Sequence, residues 1–327
     1  MLPRGVISLA FSLGLTGCIL YSPIDLGALG GPGELRETVL EGTSGPKIVL
    51  VDISGVISDE SERPTFSLGE RPSMVAETKN VLDRAADDDS VAALLLRINS
   101  PGGSVWASDT IYHELMAWKA ANKKPVVAFF NGMSASGAYY LAMAADRVVA
   151  HPAAVTGSIG VIMPGLSFEG LMEKYGVADQ TITSGRFKDT GSMFRDMRPD
   201  ERAQMQSVID DLYARFTDVV AQGRPGLDAA KIHTLADGRV YSARQALAAG
   251  LVDELGYLDD AVKGIEKRAN IKESRVVEYH RSNSLSENVY SRSPDLSLQA
   301  LALSLAALRQ SALAPGFYYL WPGALTP

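Results

Sequence analysis

From Lys47 onward, dense apolar runs alternate with amphipathic stretches. KIVLVDISGVI reads as a strand, and VAALLLRIN as a fully apolar buried strand ending in the glycine turn NSPGGS. SMVAETKNVLDRAADD, between them, has helical spacing. Residues 104–122 predict a second helix, with Ile111, Leu115 and Trp118 on its apolar side. PVVAFF is the next strand, and the turn after it leads through NGMSASGAYYLAMAAD into another helix. DRVVAHPAAVTGSIGVIM predicts further short strands, FEGLMEKYG a helix and VADQTITS a strand. PDERAQMQSVIDDLYARFTDVVAQG predicts a long amphipathic helix, with Met205, Ile209, Leu212, Phe216 and Val219 near one face. Successive strand-then-helix units imply an α/β fold, a mostly parallel sheet flanked by helices. No solenoid repeat is visible.

The two ends of the chain follow different rules. Val6 to Leu15 is an apolar run behind a single arginine, shorter than the roughly 20 residues that span a bilayer as a helix. It reads as a secretory signal over residues 1–17. Leu15-Thr16-Gly17-Cys18 resembles the bacterial lipobox, in which the cysteine is lipidated and becomes the mature N-terminus. Ile19 follows where an aspartate would retain the protein at the inner membrane, so outer-membrane sorting is open to it. Residues 18–46 are glycine- and proline-rich and read as a flexible tether, whose roughly 28 residues would span about 30 Å. The body is assigned to 47–280. Residues 281–327 begin with a polar linker. A helix carrying Leu298, Leu301, Leu305 and Leu308 comes next, then the aromatic set Phe317, Tyr318, Tyr319 and Trp321. The expectation is that this tail contacts an oligomer partner or a membrane and stays apart from the catalytic core.

Composition narrows the functional classes. The 327 residues carry a formal charge of −7 without any run of lysine or arginine, which disfavours nucleic acid as a partner. The four histidines, at 113, 151, 233 and 280, show no metal-ligand spacing, and one cysteine allows neither an internal disulfide nor a cysteine-rich metal site. No metal or cofactor is implied.

Candidate chemistry gathers where strands end in small-residue turns. Ser136, between Ala135 and Gly137, reads either as a helix N-cap or as a nucleophile with room for a substrate carbonyl. Asn99-Ser100-Pro101-Gly102-Gly103 is a second such turn. If the two are adjacent, the amides of Gly103 and Gly137 could form an oxyanion hole; otherwise they are ordinary glycine turns. A serine nucleophile needs a base. His151, at a strand end before a proline, reads as structural. Lys188, in TSGRFKDTGS, reads by itself as a solvated surface charge. As a base it would need its ordinary pKa of about 10.4 lowered by about 3 units.

Taken together, NSPGG, NGMSASGAYYLAMAAD, VTGSIGV, ITSGRFKDTGSMFRDM and GLVDELG resemble the signal peptide peptidase A family of serine proteases, in its short form. The resemblance runs from about Lys47 to Lys267. It implies a crotonase-like (ClpP-like) fold of repeated β-β-α units and a Ser-Lys dyad. By position, Ser136 becomes the nucleophile, Lys188 the general base and Ser158 the residue that orients the lysine amine. Gly103 and Gly137 supply the oxyanion-hole amides. The family degrades membrane-associated peptides such as remnant signal peptides, in rings whose serine and lysine meet across a protomer boundary. The implied partners are therefore peptides, a membrane and further copies of the chain. The lipobox departs from the family's usual transmembrane anchor. Two other readings are a crotonase-type acyl-CoA enzyme, disfavoured for an exported chain, and a catalytically silent envelope scaffold, disfavoured by the intact Ser136, Ser158 and Lys188.

Overall fold

The fold is seen in a computed structural model that describes residues 35–61, 72–281 and 316–324. Cys18 and the leucine-rich segment of the tail lie outside the described residues. The strands are β1 (Arg36–Glu41), β2 (Lys47–Ser54), β3 (Val91–Ser100), β4 (Gly102–Ser104), β5 (Val126–Ala135) and β6 (Arg147–Ala150). They continue as β7 (Val155–Gly157), β8 (Val240–Ser242), β9 (Glu254–Leu255), β10 (Arg275–His280) and β11 (Tyr318–Leu320). The helices are α1 (Met74–Ala86), α2 (Val105–Asn122), α3 (Gly137–Ala142), α4 (Glu169–Lys174), α5 (Pro199–Gly223), α6 (Ala229–Leu235), α7 (Ala243–Ala249) and α8 (Leu258–Ala269).

Nine strands make the main sheet, in the order β1-β10-β2-β3-β5-β6-β9, with β7 beside β5 and β8 beside β7. Pairings at its centre are parallel, while β1–β10 and β7–β8 are antiparallel. The unbroken apolar run of β3 follows from burial on both faces. Leu94, Leu96 and Ile98 join the core under α1, α2 and α3, whereas Ala93 and Leu95 face Leu258, Ala261 and Ile265 of α8. Local chemistry sets the helix starts. Ser73 accepts from Ala76 N at the head of α1, and Ser104 accepts from Ala107 N at the head of α2. Pro199 opens α5, and Glu201 accepts from the Arg198 amide one turn earlier.

Three segments depart from the sequence reading. Residues 36–41 belong to the sheet and not to a tether: β1 covers the edge of β10, with Val39 opposite Val277. Lys47 fastens that edge, its amine 2.7 Å from Glu37 and 2.8 Å from Asp88. Six residues of strand were hidden among glycines because half of them face solvent. Residues 177–184 form no strand, and Ile182 is 96% exposed. A β-rich sequence without a neighbouring strand has nothing to donate its backbone bonds to. Finally, the aromatic tail is part of the core. β11 pairs with β4, and Tyr319 is fully buried.

Candidate active site

Ser136 sits where β5 hands over to α3, with φ 55° and ψ −119°. A non-glycine residue there is strained, and such strain persists only where surrounding bonds impose it. Here Ser136 N donates to Gly157 O at 2.7 Å, and Tyr140 N donates to Ser136 O at 2.9 Å. The hydroxyl is not used as a cap: Oγ is buried and has no hydrogen-bond partner among the described residues. That settles the N-cap alternative. A hydroxyl not spent on a cap is available to act as a nucleophile once a base reaches it.

The two glycine turns are adjacent. A Cβ built on Gly137 would lie 3.3 Å from Gly103 N, and one built on Gly102 would lie 2.7 Å from Gly137 N. The Gly137 amide heads α3, where it adds the helix's positive end. Gly103 must be glycine for packing as well, since a Cβ there would meet Ile57 O at 1.9 Å. Ser100 Oγ accepts from Gly102 N at 3.1 Å, and Asn99 Oδ1 accepts from Met133 N at 3.2 Å, so side chains from β3 brace both turns. The β5–β7 register sets Ala135 opposite Gly157 and so brings Ser158 next to Ser136. Ser158 is buried, with φ 50°.

Lys188 lies elsewhere. It is exposed, on a turn of the long excursion between β7 and α5. With Ser136 Oγ unpartnered, a single chain does not join the two. The excursion displays Leu171, Tyr175, Val177 and Phe187 to solvent. Its far end is held by charges. Arg195 Nε is 2.7 Å from Asp189 Oδ2, and Arg195 Nη2 is 2.6 Å from Oε1 of the fully buried Glu201. Hydrogen bonds from Arg195, reinforced by the Arg198 amide, hold the Glu201 carboxyl down to about 2. His151 stands at the end of β6, its Nδ1 accepting from Ala153 N at 3.1 Å and its ring edge-on to Tyr257.

Similarity to known proteins bears on this geometry. The family model described as Peptidase family S49 matches residues 119–272, and the Clp protease model matches residues 75–156. A protein of Enterococcus faecium, provisionally named signal peptide peptidase SppA, is 38% identical over 244 residues, covering 75% of this chain and 70% of that one. A protein of Synechocystis sp., provisionally named a protease, is 40% identical over 66% of this chain and 72% of its own. Protease 4 of Salmonella typhi is 36% identical over 70% of this chain, but only 36% of its own length is covered. The chain belongs to peptidase family S49.

As an S49 serine peptidase with a ClpP-like α/β fold, it carries its unpartnered serine at the carboxyl end of a central parallel strand, where such sheets build their sites. Sequence reasoning missed Arg195, Glu201 and Tyr319. The first two stood inside quoted segments, but nothing in their spacing distinguishes a buried ion pair from surface charge. Tyr319 was named within the aromatic tail but set apart from the core, and more than 180 residues of chain separate it from Ser136.

Proposed function

We propose that this peptidase is a cell-envelope endopeptidase that hydrolyses membrane-associated peptides, remnant signal peptides among them, through a Ser136–Lys188 dyad. The observation that carries the reading is the buried Ser136 hydroxyl, without a hydrogen-bond partner among the described residues, on one of two adjacent glycine turns. Ser136 Oγ attacks the scissile carbonyl as its proton passes to the neutral Lys188 amine. The carbonyl oxygen becomes an oxyanion, to which the two amides donate; each such donor is worth about 3 kcal/mol of barrier. Lys188 then gives the proton to the leaving amine, and water attacks the acyl-enzyme by the same route. Ser158 would orient the amine.

Lys188 would reach Ser136 from a neighbouring protomer in a homo-oligomer. The solvent-facing apolar side chains of its excursion support an interface there, since contiguous exposed apolar surface marks association sites. Lipidation of Cys18 would hold the assembly to a membrane facing the periplasm or exterior, the outer membrane included. Among the described residues, no helix is long and apolar enough to cross one. A fluorophosphonate probe tests the nucleophile: wild type is labelled and Ser136→Ala is not. Equal labelling of both would remove Ser136 from the mechanism.

A further inference from the structure

At the end of the sheet away from Ser136, charge of one sign collects. Between the C-terminal ends of α2 and α8, beside the amino ends of β5 and β6, lies an open cleft of about 540 Å³. Its charged lining is Lys119, Lys123, Lys124, Arg268 and Asp146. The chain as a whole is at −7, so four cations against one carboxylate run counter to its composition. The 10 residues of β5 separate this cleft from the serine, roughly 30 Å of strand.

Local structure accounts for only part of that charge. Lys119 Nζ is 2.7 Å from Asp146 Oδ1 and donates to Ala144 O at 2.9 Å, while Asp146 Oδ2 accepts from Val126 N at 2.9 Å. This pair neutralises itself. Lys123, Lys124 and Arg268 have no ion pair and no side-chain hydrogen bond among the described residues. Cations at helix C-termini offset the helix dipole, the ordinary reason for finding them there. Each helix end carries about half a negative charge, so the two together answer about one of the three remaining cations. An excess of about two positive charges faces the cleft.

Lys123 also stands there against its backbone preference. It ends α2 in the left-handed region, φ 57° and ψ 26°, with its N–H on Lys119 O. Glycine takes that position without strain, and α8 ends in the same conformation through Asn270, a residue type that tolerates it. What lysine adds over either is its charge.

We propose that this cleft binds a phosphate group through Lys123, Lys124 and Arg268, at a site separate from the serine. A phosphate carries between about one and two negative charges at neutral pH, which matches the excess. The arginine fork suits two of its oxygens at once, and the lysines add point charges. Such a group reaches the cleft as free phosphate or as the headgroup of an anionic lipid. A ligand held here leaves Ser136 open to peptide, so the site stands whether or not the Ser136–Lys188 dyad does.

The test compares full-length wild type with Lys123→Gly and with the double variant Lys124→Gln, Arg268→Gln. Binding of inorganic phosphate is followed by phosphorus NMR line broadening. Saturable binding is expected for wild type, weakened by about tenfold or more in each variant, the worth of one charge-assisted hydrogen bond. Lys123→Gly should melt no lower than wild type, because it removes both backbone strain and repulsion between cations, so its loss of binding is not loss of fold. Partition onto vesicles of equal parts phosphatidylcholine and phosphatidylglycerol is then divided by partition onto phosphatidylcholine alone, a ratio in which any lipid anchor cancels. A ratio that falls in the variants assigns the phosphate to a lipid headgroup. A ratio that stays while inorganic phosphate binding falls assigns it to a soluble ligand. Phosphate binding and vesicle ratio both unchanged by the substitutions, or no saturable phosphate binding to wild type together with equal ratios for all three proteins, overturns the proposal.

Discussion

Arg195 donates to the buried Glu201 carboxylate, Nη2 to Oε1 at 2.6 Å, and with its Nε it grips Asp189, the neighbour of Lys188. The position of the Lys188 turn is thereby tied to the first turn of α5. On the proposed dyad, Arg195 would act on the lysine through the backbone, as a positioning residue. Arg195→Gln is expected to lower kcat at least tenfold with KM little changed, and Arg195→Lys should recover part of the loss. A KM rise at constant kcat would refute a positioning role.

The same pair gives a pH dependence. The folded-state pKa of Glu201 is depressed from 4.5 to about 2, so its contribution to stability is complete above about pH 5. It is lost as pH falls toward about 2, because the unfolded chain takes up the proton first. Urea midpoints measured from pH 6 to pH 2 should fall more steeply for wild type than for Glu201→Gln. Parallel curves would mean that the ion pair does not carry that slope.

Ser136 is held in a backbone conformation that glycine adopts without strain. Ser136→Gly also loses no hydrogen bond to the described residues, since the hydroxyl makes none with them. It should raise stability by about 1 kcal/mol while abolishing peptidase activity. Thermal unfolding reads the first effect. An unchanged or lowered Tm would show that the serine is not strained.

Lys188 is exposed and Ser136 is buried with its hydroxyl unpartnered, so a dyad built between copies makes a distinctive forecast. Ser136→Ala and Lys188→Ala should each be inactive alone. Mixed and reassembled, they should recover about a quarter of wild-type activity, since each site needs one intact serine and one intact lysine from different protomers. His151→Ala should keep most activity. No recovery on mixing would place both groups in one chain.

Cys18→Ser should block incorporation of a clickable fatty acid and leave unprocessed precursor on a gel. Equal labelling of the variant and the wild type would end the lipid-anchor proposal.

The strands β2, β3, β5, β6 and β7, the helices α1 to α5 and the small-residue turns were legible in the sequence because each is set by neighbours a few residues away. An apolar run with no polar face, as in VAALLLRIN, must be buried on both sides, and a serine between Ala135 and Gly137 leaves space wherever the chain goes. Tertiary structure alone decided whether the Ser136 hydroxyl was spent as a cap, and whether Gly103 and Gly137 faced one point. It also decided what became of segments whose local signal was weak or misleading. RETVLE was a strand because β10 offered an open edge, and VADQTITS was not one because no edge reached it. FYYLW entered the core because β4 and a ring-lined pocket were waiting. Backbone hydrogen bonds in sheets join residues far apart in the chain, and such pairing leaves no trace in the spacing of either partner.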